Sequence, residues 1–494
     1  MSTVPFGLGA TIGIALYLFT LLILGFVARR RRYNKSLDDF YLARKSLGGF
    51  VLLLTLYATQ YSGNTLLGYP GEAYRIGFGW IMSVGFMMSV VVVYLTFAPR
   101  LHRLAKQFNF VTPGDWLDHR FNSPYLTFTA NVLLVITAAN YLLAQLIAMG
   151  HAVAGLSDHN IPYWAGVLFL AFVIIIYETM GGMRAVAWTD CIQGLMLFLG
   201  LFGLLLAATR GVAGFESTTK WIIANMPDKA ATPGWNLIRT WISTVLLVGF
   251  AAAVYPQAIQ RIYAARNSNA LKQSLSIMAF MPLVTTTVVC LIGILGIPHF
   301  ANLQGIAADQ VMPLLLNEWA QQSLWTYTLT IVVLVGILAA IMSTADSVLL
   351  SLSSILAKDF LGKSVMTNAP EEHLTLAGKI SSWIIMTLLV IIALVPRITL
   401  WGLIELKLEI LAQVSPVFVI GVWWKRLTTN AALAGMVAGS ALAVGLTLTG
   451  NGKLWGFHAG LLGLCLNVSL GFIISHIHAS TKLTEIGGQL QRGG

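Results

Sequence analysis

The segment Gly336-Ile-Leu-Ala-Ala-Ile-Met-Ser-Thr-Ala-Asp-Ser347 lies inside an apolar run that is long enough to cross a bilayer as a helix. Ser343, Thr344 and Ser347 are one, three and four residues apart, so a helix places their hydroxyls on one face. An ionisable residue within a membrane helix, here Asp346, is by default a candidate functional residue. The segment therefore predicts a membrane helix that offers oxygen ligands to a small cation. A structural alternative is that the hydroxyls bond to carbonyls one turn earlier.

The composition is typical of a membrane protein. Of 494 residues, 57% are hydrophobic and only 10% are charged, and the mean hydropathy is +0.78. In soluble domains roughly a quarter of residues are charged. The net charge of +11 could indicate nucleic-acid binding, but the basic residues lie in loops between apolar spans and do not alternate with aromatic residues. We therefore expect a multi-pass protein of the inner (plasma) membrane, surrounded by lipid, with no nucleic-acid partner.

The apolar segments predict an all-α fold with about 13 transmembrane helices. The predicted spans are 7–28, 48–70, 77–98, 124–153, 159–179, 185–208, 236–260, 273–298, 323–357, 379–396, 399–423, 430–449 and 454–477. The first span lacks a basic leader, so it is expected to be a retained anchor and not a cleaved signal peptide. If the basic run Arg29 to Arg32 is cytoplasmic, 22 of the 30 Lys and Arg residues fall on that side. The positive-inside rule then predicts an outside N-terminus and a cytoplasmic C-terminus.

Two spans, five apart, contain comparable Gly and Pro interruptions. These are the second span, around residues 56–72, and the seventh, around residues 249–261. Paired interruptions of this kind indicate an inverted-repeat transporter whose binding site lies where the helices are unwound. A single transporter domain over residues 1–494 is predicted. Its parts are an extra first helix at 7–28, a first repeat at 48–208, an inverted second repeat at 236–423 and two C-terminal helices at 430–477.

Several motifs spread along the chain act together as a family signature. They are Asp39, Tyr41 and Leu42 with Ser46-Leu-Gly48, Gly68-Tyr-Pro-Gly71, Gly181-Gly182 with Ala185-Val-Ala-Trp-Thr-Asp190, Pro256 with Arg261, Ala339 to Ser347, and Asn430-Ala-Ala-Leu-Ala-Gly435. With them the chain resembles the sodium:solute symporter family, which includes bacterial proline, pantothenate and sialic acid symporters and animal sodium–glucose cotransporters. The resemblance implies a LeuT-like fold with an inverted five-helix repeat, an extra first helix and an outside N-terminus.

The resemblance also implies where ions bind. The principal sodium site of the family maps to Ala58, Tyr61, Ala340, Ser343 and Thr344. The first three would act through backbone carbonyls and the last two through hydroxyls, which suits a hard cation.

A possible second ion site maps to Asp190, Ser343, Asp346 and Ser347. Asp346 stands where the best-understood members have a hydroxyl, so occupation of this second site stays open. A local helix-capping role is the structural alternative for Asp190.

The expected substrate-binding residues come from the broken spans and from the fourth span. They are Thr59, Gln60, Ser62, Asn64, Asn140, Tyr141, Gln145, Phe250, Tyr255 and Gln257. Interhelical hydrogen bonding is an equal alternative for each of them. Proline symporters have an Asp at the position of Gln60, which disfavours proline as the solute.

The eleventh span departs from the family by carrying three charges, at Glu405, Lys407 and Glu409. Glu405 and Glu409 share a helix face, while Lys407 points elsewhere. Charges in a membrane are costly unless they line water or find partners, and Arg75 and Glu72 are candidate partners. We expect the three residues to line an outer vestibule or gate, with structural pairing as the alternative.

The predicted function is sodium-coupled symport of a small polar organic solute, such as a carboxylate, a vitamin-like molecule or an amino-acid-like molecule, by alternating access. Sodium would be the coupling ion, with no organic cofactor, no enzymatic activity and no protein partner implied. A proton-coupled symporter and a channel are alternatives. A transporter-fold sensor is another, although such sensors carry a cytoplasmic signalling domain and only 17 residues follow Ile477.

Overall fold

The computed structural model describes residues 8–31, 36–156, 161–210, 214–300, 302–396 and 399–492. The first half contains the helices α1 (Leu8–Arg30), α2 (Leu37–Leu42), α3 (Gly49–Gln60), α4 (Tyr69–Ile76), α5 (Met82–Gln107), α6 (Pro113–Phe121), α7 (Pro124–Leu156), α8 (Tyr163–Arg210), α9 (Phe215–Asn225), α10 (Pro227–Ala230) and α11 (Trp235–Ala252). The second half contains α12 (Pro256–Ala264), α13 (Ser268–Met278), α14 (Met281–Leu295), α15 (Val311–Ala320), α16 (Leu324–Ser354), α17 (Gly362–Ser364), α18 (Glu371–Ala393), α19 (Leu400–Leu411), α20 (Ser415–Val419), α21 (Thr429–Leu448) and α22 (Ala459–Arg492). The described strands are β1 (Lys453–Leu454) and β2 (Phe457–His458), which pair antiparallel.

The described residues contain ten helical segments that are long and apolar enough to cross a membrane. They account for ten of the 13 predicted spans. The other three are the broken second span, the sixth span, which is merged with the fifth in α8, and the eleventh span, which is divided between α19 and α20. The fold class predicted from the sequence, an all-α polytopic membrane protein, is confirmed.

The helix α8 contains the fifth and sixth predicted spans and changes direction at Gly182. That residue has φ 58° and ψ −151°, a conformation outside the helical region. A side chain there would meet the Phe40 carbonyl oxygen, because an ideal Cβ lies only 2.4 Å from it. Only glycine combines this positive φ with so close a backbone approach. The Gly181-Gly182 pair therefore lets two membrane helices follow one another without a loop.

The second and seventh spans are both interrupted, as the Gly and Pro residues predicted. In the second, α3 ends at Gln60, an irregular segment follows, and a π-helical turn at Asn64–Gly68 leads into α4. In the seventh, α11 ends at Ala252 and α12 starts at Pro256. Proline at the first position of α12 needs no amide partner there, which is why a new helix can start at this residue.

The helix α16 is the centre of the bundle. Every residue from Gly336 to Ser354 is buried, and 78% of its apolar window is buried, against 28% for α1. It packs against α8, α7, α3 and α12. Polar groups in this part of α16 therefore face other helices and not lipid, so each must find a partner within the protein or in a bound ligand.

Candidate functional site

The break after α3 removes the normal helical partners of its last carbonyls. In an unbroken helix the Ser62 amide would donate to the Ala58 carbonyl. Here the Ser62 amide instead contacts Thr65 Oγ1 at 3.4 Å, and Tyr61 has an extended conformation with ψ 104°. The carbonyl of Ala58 is thereby released from the helix ladder and can bind a cation.

A glycine brings this break against α16. An ideal Cβ on Gly63 would lie 2.6 Å from the Ile341 side chain and 2.8 Å from Ala148 Cβ, so only glycine fits. The Gly63 amide donates to Gln145 Oε1 at 3.0 Å, which diverts it from the Thr59 carbonyl. The unwound backbone of the second span therefore sits directly on the middle of α16.

Of the residues predicted for the principal sodium site, Ala340 and Thr344 meet the broken span at this junction. The Thr344 hydroxyl donates to the Ala340 carbonyl at 3.1 Å and contacts the Thr59 carbonyl at 3.4 Å, so it bridges the two helices. Ser343, one residue earlier, donates to Asp190 Oδ1 at 2.5 Å. Carbonyl and hydroxyl oxygens at the meeting point of two helices are the donor set that a small hard cation requires.

The predicted second ion site contains an internal cation that was not assigned to it from the sequence. Arg261, on α12, is completely buried, and its Nη2 lies 2.8 Å from Asp190 Oδ2 and 2.5 Å from Ser347 Oγ. Its Nε donates to Thr55 Oγ1 at 2.8 Å and its Nη1 to the Gln257 carbonyl at 3.1 Å. The Thr55 hydroxyl also donates to Asp190. The Asp190 charge is thus neutralised by the protein itself.

Asp346 lies next to this network, and its hydrogen-bond partners in the described part of the chain are hydroxyls. Its Oδ2 accepts a hydrogen bond from the Tyr177 hydroxyl at 2.7 Å, and its Oδ1 accepts one from Ser347 at 3.1 Å. Among the described residues it forms no ion pair. A buried carboxylate with neutral partners is a candidate for binding either a metal cation or a proton.

A small central cavity lies between the two broken spans. Its free volume is about 30 Å³, enough for one or two water molecules. Five of the predicted substrate residues line it, namely Gln60, Ser62, Asn64, Tyr141 and Tyr255. The other five, which the structure places outside this lining, are Thr59, Asn140, Gln145, Phe250 and Gln257.

The cavity wall contains an aromatic pair and a lysine. The rings of Tyr141 and Tyr255 are stacked, with centroids 5.1 Å apart. Lys407 Nζ lies 3.0 Å from the Tyr141 centroid and 5.1 Å from that of Tyr255. The Asn64 amide, which also faces the cavity, has neither its nitrogen nor its oxygen hydrogen-bonded. The cavity therefore offers one cation and one unsatisfied amide to a ligand.

Comparison with known proteins identifies the family. The model of the sodium:solute symporter family matches residues 40–439. The chain belongs to the sodium:solute symporter family. A sodium/pantothenate symporter of Haemophilus influenzae is 28% identical, covering 91% of this chain and 93% of that protein. A sodium/proline symporter of Salmonella typhimurium is also 28% identical, covering 92% of each.

The fold of this symporter matches that of a solved structure. That structure is the substrate-bound outward-open state of a sodium-coupled sialic acid symporter, with a TM-score of 0.76 at 20% identity, covering 96% of this chain and 98% of the other. The likeness confirms the predicted inverted-repeat architecture.

The three charged residues predicted as a gate of the symporter do not form one cluster. Glu405 pairs with Lys453 at 2.8 Å, so the suggested partner Arg75 is wrong for it. Glu409 Oε2 accepts a hydrogen bond from Thr447 at 2.6 Å. Lys407 points away from both acids, as its helix position predicted, and its side chain belongs to the central cavity.

Arg75 of the symporter instead holds together one end of the bundle. Its Nε donates to Glu72 at 2.9 Å and its Nη2 lies 3.3 Å from Asp309 Oδ1. Asp309 Oδ2 in turn accepts the Leu400 amide at 2.8 Å, at the start of α19. Burial raises the pKa of Asp309 to about 6, while the Leu400 amide and Arg75 act in the opposite direction.

Sequence reasoning missed three contributors to the ion-site region. Thr55 and Tyr177 are isolated polar residues in apolar spans, and nothing local distinguishes them. Arg261 could have been found, because it follows Pro256 in the broken seventh span and an arginine at that depth requires an acidic partner.

Proposed function

We propose that this symporter couples the entry of sodium to the import of a small polar organic solute across the cytoplasmic membrane by alternating access. The observation that carries the proposal is the junction between the broken second span and α16. There the Ser62 and Gly63 amides are diverted from the Ala58 and Thr59 carbonyls, and the Thr344 hydroxyl contacts the Thr59 carbonyl. A cation bound at this junction would hold the two helices together.

The proposed ligands of this sodium ion are the carbonyls of Ala58, Tyr61 and Ala340 and the hydroxyls of Ser343 and Thr344. Binding would couple to the solute because the same broken segment continues into the cavity wall at Ser62 and Asn64. An ion that fixes the conformation of this segment favours the solute site, and the solute favours the ion site by the same factor.

Proton coupling is a second candidate, and Asp346 is the observation that favours it. The carboxylate is buried and its partners are the hydroxyls of Tyr177 and Ser347. A proton could occupy it in one stage of the cycle. We propose a second ion site formed by Asp190, Ser343, Asp346 and Ser347 only as an alternative, because Arg261 already occupies its Asp190 side.

The remaining roles are also proposals. The substrate site would consist of the five predicted residues that line the cavity, and the other five predicted residues would support it from outside the lining. Glu405 and Glu409, both on α19, would act as gate residues, and the two repeats would comprise residues 48–208 and 236–423. The orientation with an outside N-terminus and a cytoplasmic C-terminus is supported by the Lys and Arg distribution.

The experiment that tests the sodium site uses Thr344→Ala and Ser343→Ala. Each variant loses one oxygen ligand from a site with few, so the sodium concentration that half-maximally raises the thermal midpoint should increase about tenfold. Ser353→Ala is the matched control, because Ser353 is a buried serine of the same helix that bonds only to the Leu350 carbonyl. Sodium stabilisation that is equal in all four proteins, with potassium as the reference salt, would show that the site is elsewhere.

A further inference from the structure

Lys407 is a buried cation without an anionic partner. Its side chain is only 2% exposed, and it forms no hydrogen bond or ion pair with the residues that the structure describes. Its ammonium instead lies over the rings of Tyr141 and Tyr255. A cation held on aromatic faces recovers only part of the hydration energy that it loses on burial.

The acidic residues nearest in sequence do not supply the missing charge. Glu405 is paired with the partly exposed Lys453. Glu409 accepts a hydrogen bond from Thr447 and lies 3.9 Å from His458 Nδ1. None of the residues that line the cavity is an Asp or Glu. The ammonium therefore faces a cavity in which it is the one formal charge of the described lining.

We propose that Lys407 binds the carboxylate of the transported solute, and that the solute is a monocarboxylate without an amino group. This inference rests on the proposed function and names its substrate class. The free volume of about 30 Å³ is too small for such a solute, so the cavity must widen as the carboxylate enters. The carboxylate would then draw the ammonium off the Tyr141 ring and form a charge-assisted hydrogen bond. The unsatisfied amide of Asn64 would bind a further polar group of the solute.

The same cavity disfavours a zwitterionic amino acid. An α-ammonium group would enter a space that contains the Lys407 cation and no carboxylate, so it would be repelled and left without an ionic partner. A neutral amide would leave Lys407 unpaired. The charge pattern of the cavity thus favours carboxylates by attraction. It disfavours zwitterionic amino acids and neutral amides because each leaves a charge without an ionic partner.

The test compares three solutes that differ in charge but little in size: propionate, propionamide and alanine. Binding to the purified protein is followed by thermal shift and by calorimetric titration in sodium, with acetate, butyrate and benzoate and their amides to cover other sizes. At least one carboxylate should bind at least about tenfold more tightly than its amide, since a hydrogen bond to a charged group contributes about 1.5–3 kcal/mol. Alanine should bind no better than propionamide.

Variants assign this preference to the lysine. Lys407→Gln should abolish the difference between carboxylate and amide, while Lys407→Arg, which keeps the charge, should retain a preference for the carboxylate. Lys229→Gln is the matched control, because Lys229 also lies over a tyrosine ring, 4.7 Å from the Tyr74 centroid, but outside the cavity. It should leave the preference unchanged.

The inference and the proposed function fail in different ways. Tighter binding of an amide or of alanine than of every carboxylate overturns the role of Lys407, as does an unchanged carboxylate preference in Lys407→Gln. Sodium-gradient-driven uptake of that other solute would leave the symport proposal standing. Carboxylate binding that depends on Lys407, combined with uptake that no sodium gradient drives, would overturn the symport proposal alone.

Discussion

Two buried cations in this protein, Arg261 and Lys407, have opposite surroundings. Arg261 is surrounded by Asp190, Ser347 and Thr55, and its guanidinium donates to all of them and to a backbone carbonyl. Lys407, at similar burial, contacts only the faces of two tyrosine rings among the described residues. A cation that is paired with a carboxylate and hydrogen-bonded through each of its nitrogens supports the fold, whereas one whose donors are free is available to a ligand.

The two side-chain types suit these two situations. The guanidinium of Arg261 is planar and presents its donors in fixed directions, so it fits a permanent network of oxygens. The ammonium of Lys407 is a compact charge on a flexible stem, and its three donors can turn from a ring face to an incoming anion. Arg261 thus has permanent partners within the protein, whereas Lys407 can exchange its ring contacts for a ligand.

The largest expected effect is that of Arg261→Met. The substitution leaves the Asp190 carboxylate buried without its cation, and breaking a buried ion pair from one side costs about 3–5 kcal/mol. The thermal midpoint in detergent should fall sharply or the protein should fail to accumulate. Lys220→Met is the control, because Lys220 belongs to an exposed ion pair with Glu216, which contributes at most about 1 kcal/mol.

A second substitution separates lost charge balance from lost packing. Asp190→Asn in the Arg261→Met background removes the unpaired carboxylate, so the double variant should be more stable than Arg261→Met alone. If the double variant were less stable than the wild type by the sum of the two single effects, Arg261 and Asp190 would contribute independently. Arg261 would then not be a cation paired within the fold, and its contrast with Lys407 would not hold.

Asp309 is an intermediate case, a buried carboxylate with one partly exposed cationic partner. Burial raises its pKa to about 6 from 3.8. The folded state thus holds the proton more tightly than the unfolded state. The contribution of Asp309 to the free energy of unfolding is therefore complete below pH 3.8 and is lost as the pH rises through about 6. The free energy of unfolding falls by about 3 kcal/mol over this range.

Asp309→Asn should remove this pH dependence. The wild-type midpoint should fall relative to that of the variant between about pH 4 and pH 7, as measured by thermal unfolding in one detergent at constant ionic strength. Parallel curves for the two proteins would mean that Arg75 compensates the charge fully, and Asp309 would then belong with the fixed networks.

How much the sequence could predict depends on whether the signal was local. The interruptions at Gly63 and Pro256 and the hydroxyl face of α16 were predicted, because backbone breaks and helix periodicity follow from neighbouring residues. The partners of Lys407 and Arg261 were not, because they come from spans far away in the chain. Lys407 was assigned to an outer vestibule or gate with Glu405 and Glu409 because charges in a membrane span are costly unless they line water or find partners. Five of ten predicted substrate residues line the cavity, since polarity alone does not tell a cavity wall from an interhelical contact.

The smallest expected effect, about tenfold in an ion requirement, comes from Asp346, the anionic counterpart of Lys407. Both are buried, and neither has an ionic partner among the described residues, so the same reasoning predicts that Asp346 also takes a ligand. If the ligand is sodium, Asp346→Asn should need about ten times more sodium for half-maximal uptake at fixed pH, because the substitution keeps an oxygen but removes the charge.

If the ligand of Asp346 is a proton, the outcome is different and equally measurable. Uptake by wild-type vesicles should then run on a pH gradient without sodium, and Asp346→Asn should abolish its dependence on external pH. Asp190→Asn is the internal comparison. Asp190 already has Arg261 as its cation, so its variant should lose stability more than it changes either ion requirement. A larger change in sodium or proton dependence for Asp190→Asn than for Asp346→Asn would reverse the assignment, and the carboxylate beside the arginine would then be the exchangeable one.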